Sequence, residues 1–197
     1  MFPSNRAYYP RSHWAIEQLL SSPEFGELHW TSLQPNIFSN FYLATAAGLI
    51  GEFRKTGKQG VLRLIADEGT PVGVIAPSDV GIFAAHLLLS PSTVPHNNKK
   101  YVLNGPVDIT GKEIVSLVEK YIGEKVEEVV YKDLSFLEYM VQQQPNESRN
   151  VIMSIQFSPE TAWEGKCTTA TTSREFLEIA APKGGPEDVL RGLIGEE

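Results

Sequence analysis

The sequence is short of cysteine, of basic clusters and of long apolar runs. A single cysteine, Cys167, in 197 residues excludes an internal disulfide and suits a reducing compartment. Flanked by Thr168, it reads as an inert thiol. Four histidines stand apart, and neither His86 nor His96 has a partner at metal-site spacing, so no metal is expected. With 17 Lys and Arg against 24 Asp and Glu, a formal charge of -7 and no basic run longer than Lys99-Lys100, nucleic acid is not an expected partner.

The opening MFPSNRAYYPRSHW has no apolar run behind a basic start, and FYLATAAGLIG is too short to cross a bilayer core of about 30 Å. These absences predict a cytoplasmic protein with no membrane partner. The sequon Asn146-Glu147-Ser148 is then expected to go unused.

What is present is ordinary globular usage, 42% hydrophobic and 21% charged, enough for one domain over 1–197. Spacing of Trp14, Ile16, Leu19 and Leu20 predicts an amphipathic helix over about 12–21 with Ser12 as N-cap. Leu28 to Gln34 alternates as a strand, stopped by Pro35. Asn36 then caps a long helix to about Lys55, with Ile37, Phe38, Phe41, Leu49 and Ile50 on its apolar face.

Gly60 to Asp67, Val72 to Ala76, Tyr101 to Leu103 and the KVEEVVYK run from Lys125 read as further strands. Pro77-Ser78-Asp79 opens a helix that stops before Pro91, with Asp79 as a capping carboxylate. Thr110-x-x-Glu113 is a capping box for a helix ended by Gly123. Helical patches follow at Leu134 to Gln143, Glu147 to Phe157 and Ser173 to Ala180, before a Gly/Pro break at Pro182 to Pro186. Asp67-Glu68 and Glu127-Glu128 read as solvated charges.

Several landmarks recur in one order: Ile16-Glu17 ending a helix, Thr31-x-Leu33-x-Pro35-Asn36-x-Phe38-x-x-Asn40-Phe41, Ala76-x-x-Asp79-Val80-Gly81, Tyr101-x-Leu103-x-Gly105-Pro106-x-x-Ile109-Thr110-x-x-Glu113-Ile114, and Thr172-Ser173-x-Glu175-Phe176-Leu177. From about residue 8 onward the chain resembles the C-terminal half of the NmrA-like family, atypical short-chain dehydrogenases/reductases. The resemblance implies an α/β fold, the C-terminal strands and helices of a doubly wound, partial Rossmann-like sheet. It implies NADP or NAD as cofactor and a small organic substrate of enone, imine or quinone type.

The family's Gly-rich turn, which holds the dinucleotide diphosphate, has no counterpart here. Gly48-x-x-Gly51, Gly57-x-x-Gly60 and Gly192-x-x-Gly195 lack its spacing, and none follows a strand and opens a helix. The expected function is therefore an NAD(P)-dependent oxidoreductase relative truncated at its cofactor-binding half and inactive alone. The alternative is a non-catalytic regulatory or protein-interaction module. With the front strands lost, a homo-oligomer or a protein partner is expected to cover the exposed sheet.

By resemblance, Pro35, Asn36, Ile37 and Phe38 wall the nicotinamide side of the pocket, and Asn40 and Phe41 lie nearer substrate. The same residues also read as a strand stop, a helix cap and core aromatics. Tyr9 and His13 fall where the superfamily places its Tyr-x-x-x-Lys pair, as candidate catalytic residues. Histidine in place of lysine is largely neutral at pH 7 and weakens proton delivery.

Overall fold

The chain crosses between two pairs of parallel strands, with helices making each crossover. The computed structural model describes residues 6–196. It opens with α1 (Tyr8–Leu20), which starts earlier than the spacing predicted. Pro10 is its third residue, where a missing N–H costs no helical bond. Ser12 therefore lies inside the helix and donates to the Tyr9 carbonyl at 2.9 Å, and Ala7 takes the cap position.

β1 (Thr31–Pro35) follows, then α2 (Ser39–Tyr42) and α3 (Ala44–Thr56). The single long helix predicted from Asn36 is thus broken in two and starts late. The late start comes from main-chain pairing, and the break falls at Leu43. Ile75 N–H donates to the Ile37 carbonyl at 3.0 Å and Ser39 N–H to the Ile75 carbonyl at 2.9 Å, holding Ile37 and Phe38 outside the helix.

β2 (Leu62–Leu64) and α4 (Pro77–Leu88) come next. Between them, Val72 to Ala76 forms only isolated bridges, Val72 with Ile109 and Ile75 with Phe38, rather than the predicted strand. β3 (Lys99–Leu103) leads to α5 (Gly111–Ile122), whose capping box and Gly123 stop are as predicted. Its Ile114, Val118 and Ile122 are buried on one stripe.

β4 (Val129–Tyr131) is the short paired part of the KVEEVVYK run. Small helices complete the chain: α6 (Phe136–Gln143), α7 (Arg149–Met153), α8 (Glu160–Trp163), α9 (Arg174–Ala180) and α10 (Pro186–Leu193).

β1 runs parallel to β3 in register from Thr31 against Lys99 to Pro35 against Leu103. β2 runs parallel to β4 from Leu62 against Val129 to Leu64 against Tyr131. Parallel neighbours need long crossovers, and these helices supply them. One buried cluster joins α3, α5 and β2 through Leu49, Ile50, Leu62, Leu64, Ile114 and Val118. A second gathers Phe83, Tyr101 and Phe176 edge to face, with ring centroids 5.3 and 5.0 Å apart, beside Ile75 and Leu103.

Two predicted charges have different work. Asp79, in the first turn of α4, accepts from the main-chain N–H groups of Lys183 and Gly184 at 3.1 and 3.0 Å, so it clamps the tail rather than capping its own helix. Asp67 is no solvated turn charge. It accepts from the Gly69 and Thr70 N–H groups at 3.0 and 2.9 Å and pairs with Lys132 at 2.7 Å.

Candidate functional site

A cavity of about 350 Å³ opens at the carboxyl ends of β1 and β3. In open α/β sheets ligands bind beyond these strand ends. Pro10 of α1, Gln34 to Asn36, Val102, Asn104, Ser158, Thr161, Lys166, Cys167 and Thr171 line it.

Asn36 knots the floor together. Its Nδ2 donates to the Asn104 Oδ1 at 2.7 Å, the Cys167 carbonyl at 2.9 Å and the Gly73 carbonyl at 3.1 Å. Its Oδ1 accepts from Ile37 N–H at 2.8 Å. Asn104 is fully buried and in turn donates from Nδ2 to the hydroxyls of Thr171 and Thr172 at 3.1 and 3.0 Å. Asp108 fastens the same tail loop by accepting from Thr169 N–H at 2.7 Å. Strand end, crossover and tail are therefore fixed to one another through side-chain amides.

No Asp, Glu, His or Tyr lines this cavity. Lys166 brings its only formal charge and pairs with Glu164 at 2.5 Å. Gln34 spends one amide hydrogen on Glu17 at 2.8 Å and keeps the rest of its amide for a ligand. Thr161 accepts from the Cys167 thiol at 3.6 Å, which leaves its own hydroxyl hydrogen free. With the Lys166 charge paired to Glu164, the cavity offers mostly neutral hydrogen-bonding groups around apolar walls and suits an uncharged organic molecule.

Behind the floor, Glu17 is buried against β1, accepting from Ser32 Oγ at 2.5 Å and pairing with Lys100 at 2.8 Å. Burial alone would raise its carboxyl, but the hydrogen bonds from Lys100, Ser32 and Gln34, with the Lys100 charge, outweigh this and hold it below the usual range. Burial, with the charges of Asp67 and Cys167 adding to it, pushes the Tyr42 phenol well above its ordinary range, so it keeps its proton at neutral pH.

The predicted site residues divide among different places. Pro35 and Asn36 lie on the cavity wall. Ile37 packs on the larger core cluster, and Phe38 is half-exposed, its main chain bridged to Ile75. Asn40 is exposed. Phe41 meets Phe136 edge to face at 5.9 Å beside a separate cavity of about 380 Å³ shared with Tyr139. Tyr9 and His13 share the exposed side of α1. Tyr9 stacks edge-on against Tyr8, and His13 lines a groove beside β1 rather than the cavity at the strand ends.

Asn104, Thr161 and Lys166 are cavity residues that sequence reasoning passed over. Asn104 sat unremarked inside the Leu103-x-Gly105 landmark. Thr161 and Lys166 come from a tail whose irregular pattern gave no signal.

The cavity can be tested against a nicotinamide dinucleotide. Three donors of the turn after β1 are already used, since Asn36, Ile37 and Ser39 N–H donate to the Leu103 carbonyl, Asn36 Oδ1 and the Ile75 carbonyl. The helix start after β3 is filled as well: Gly111 and Lys112 N–H donate to the carbonyls of Asp67 and Glu68, and Glu113 N–H to Thr110 Oγ1. A diphosphate needs such donors free, so neither of these two turns fits that part of the cofactor. Among the described residues no cluster of His, Cys, Asp or Glu could hold a metal ion, and no helix is long and apolar enough to cross a membrane.

No family model and no curated protein matches the chain. Solved structures do. The NADPH-dependent quinone oxidoreductase of Escherichia coli is similar with a TM-score of 0.67 and 18% identity, over 96% of this chain and 63% of that one. Its complex with NADPH gives 0.68 and 17%, over 96% and 61%. The triphenylmethane reductase of a Citrobacter species, complexed with NADP(H), gives 0.60 and 16%, over 95% and 60%. The chain spans less than two thirds of the length of each. What it shares with them is the fold, α/β with parallel strands of the Rossmann-like reductase kind.

Proposed function

We propose that the chain is a relative of the NADPH-linked oxidoreductases whose fold it shares, and that the cavity at the ends of β1 and β3 takes a flat, uncharged organic ligand of quinone or enone type. The observation that carries this reading is the position of that cavity and its lack of carboxylates. It lies where α/β folds bind ligands, and apart from the Lys166 ammonium, paired with Glu164, its polar side chains are amides, hydroxyls and a thiol. NADP or NAD remains the cofactor by resemblance. With the donors of the turns after β1 and β3 already used, the 197-residue chain by itself is expected to bind dinucleotide weakly and to turn over no substrate.

Within the cavity, Gln34 and Thr161 are among the groups with hydrogen-bonding capacity left for a carbonyl ligand, whereas Asn36 and Asn104 are consumed in holding the floor. Cys167 reports on occupancy, because its partly exposed thiol lies on the cavity wall. Tetramethyl-1,4-benzoquinone, whose ring positions are blocked to thiols, is a suitable probe. At ten times its dissociation constant it should slow iodoacetamide alkylation of Cys167 about tenfold and raise the thermal midpoint. Unchanged alkylation and an unchanged midpoint at millimolar probe would overturn the assignment.

A further inference from the structure

The amide of Gln34 has one orientation open to it. Glu17 is buried beside β1, and its carboxylate accepts from Ser32 Oγ at 2.5 Å and from Gln34 Nε2 at 2.8 Å while pairing with Lys100 at 2.8 Å. Burial raises this carboxyl, but the hydrogen bonds from Lys100, Ser32 and Gln34 outweigh it and keep the group ionised at neutral pH. An ionised carboxylate only accepts, so Gln34 must turn its nitrogen to Glu17. Its oxygen faces elsewhere.

The place of that oxygen follows from what it lacks. No described residue donates to Gln34 Oε1. Among the described residues, the buried side-chain atoms left without a partner are Ser22 Oγ, Trp30 Nε1 and Ser39 Oγ. Gln34 Oε1 is not one of them, so it reaches open space, and the space that Gln34 lines is the cavity at the ends of β1 and β3. The other side-chain amide oxygens of this cavity are filled, since Asn36 Oδ1 accepts from Ile37 N–H at 2.8 Å and Asn104 Oδ1 from Asn36 Nδ2 at 2.7 Å. One amide acceptor therefore waits for a hydrogen from the ligand.

We propose that Glu17, acting through Gln34, tunes the cavity toward the hydroxyl-bearing form of its ligand, a hydroquinone, phenol or enol, over the matching quinone or ketone. A carbonyl can take the second amide hydrogen of Gln34 but leaves Oε1 empty, whereas a hydroxyl can also donate to Oε1. The hydroxyl makes one bond more. An acceptor met in one complex and unmet in the other separates the two affinities. Glu17 does not line the cavity, so it is a positioning residue for Gln34 rather than a ligand contact. This preference rests on the cavity being the ligand site and adds which redox form it holds.

Tetramethyl-1,4-benzoquinone and tetramethylhydroquinone, kept under argon, differ only at their two oxygens. Protection of Cys167 from iodoacetamide gives a dissociation constant for each on the full chain. The hydroquinone should bind about three- to tenfold more tightly, as one added hydrogen bond allows. Gln34→Met keeps the length of the side chain and removes the amide, and the two probes should then bind alike. In Glu17→Gln the new amide can donate as well as accept, so Gln34 is free to turn over and the preference should fall by at least about threefold. A merely structural loss would weaken both probes equally and leave their ratio as it was. Equal affinities in the parent chain, or a ratio that either variant leaves unchanged, overturn the proposal while the cavity stands as a ligand site. If neither probe protects Cys167 at millimolar concentration, the ligand site itself is refuted and the preference falls with it.

Discussion

Asn36→Ala is the sharpest perturbation of the cavity floor. The Gly73 carbonyl keeps Gly105 N–H at 3.2 Å, and the Cys167 carbonyl keeps Gly73 N–H at 2.8 Å, so neither is orphaned. Asn104 Oδ1 and Ile37 N–H lose the partners seen at 2.7 and 2.8 Å. Each buried group left unpaired costs about 1–3 kcal/mol, and with the cavity admitting water to one side the sum comes to about 2–4 kcal/mol. At roughly 2–4 °C per kcal/mol for a chain of this size, the thermal midpoint falls by about 5–15 °C. Asn36→Asp should be worse, because it points an anion at three acceptors. Exposed Asn40→Ala should stay within about 0.5 kcal/mol. Urea unfolding followed by tryptophan fluorescence measures all three. A loss below about 1 kcal/mol for Asn36→Ala, or an Asn36→Asp variant as stable as the parent, would refute the role given to this side chain.

Glycine positions give opposite signs. Gly105→Ala would set its Cβ 2.1 Å from the Val74 carbonyl oxygen and should cost more than about 4 kcal/mol, read as loss of soluble folded protein. Gly48→Ala on the open side of α3 meets nothing within 4 Å and should add up to about 1 kcal/mol in the same urea titration. The Glu17 carboxyl is held below its ordinary value of 4.5 in the fold. Its contribution is therefore complete above that pH and lost as pH falls through the lower folded value. Glu17→Gln should destabilise at pH 7 by about 1–3 kcal/mol and flatten the acid limb of a stability–pH curve; an unchanged acid limb would count against the buried pair with Lys100. Thr110→Ala removes the cap of α5 and should cost about 1 kcal/mol, measured by thermal unfolding.

Much of the fold was legible because its signals are local. The α5 stripe with Thr110, Glu113 and Gly123 needed no partner to be read, and the two-residue period of β1 marked it as a strand. Other features are decided across the chain. Ile75 holds Ile37 and Phe38 in an extended path that no local rule foretells, and so delays to Ser39 a helix whose apolar spacing looked continuous from Asn36.

The α1 pattern misled for a related reason. Its apolar spacing predicted an amphipathic helix, whereas its one fully buried residue is Glu17, which finds Lys100, Ser32 and Gln34 only in the folded chain. The cavity was half legible. Pro35 and Asn36 were marked by their turn chemistry, but Asn104 and Thr161 meet them through contacts 68 and more residues away in sequence, which periodicity does not report.

The most direct measurement is a titration of the 197-residue chain with NADPH and, separately, NADH, followed by thermal unfolding. A ligand at a hundred times its dissociation constant stabilises by about 2.7 kcal/mol, a midpoint rise of roughly 5–10 °C here. With the helix starts after β1 and β3 filled by the protein's own groups, either dinucleotide at micromolar concentration should leave the midpoint unchanged. A rise of several degrees at that concentration would contradict the account.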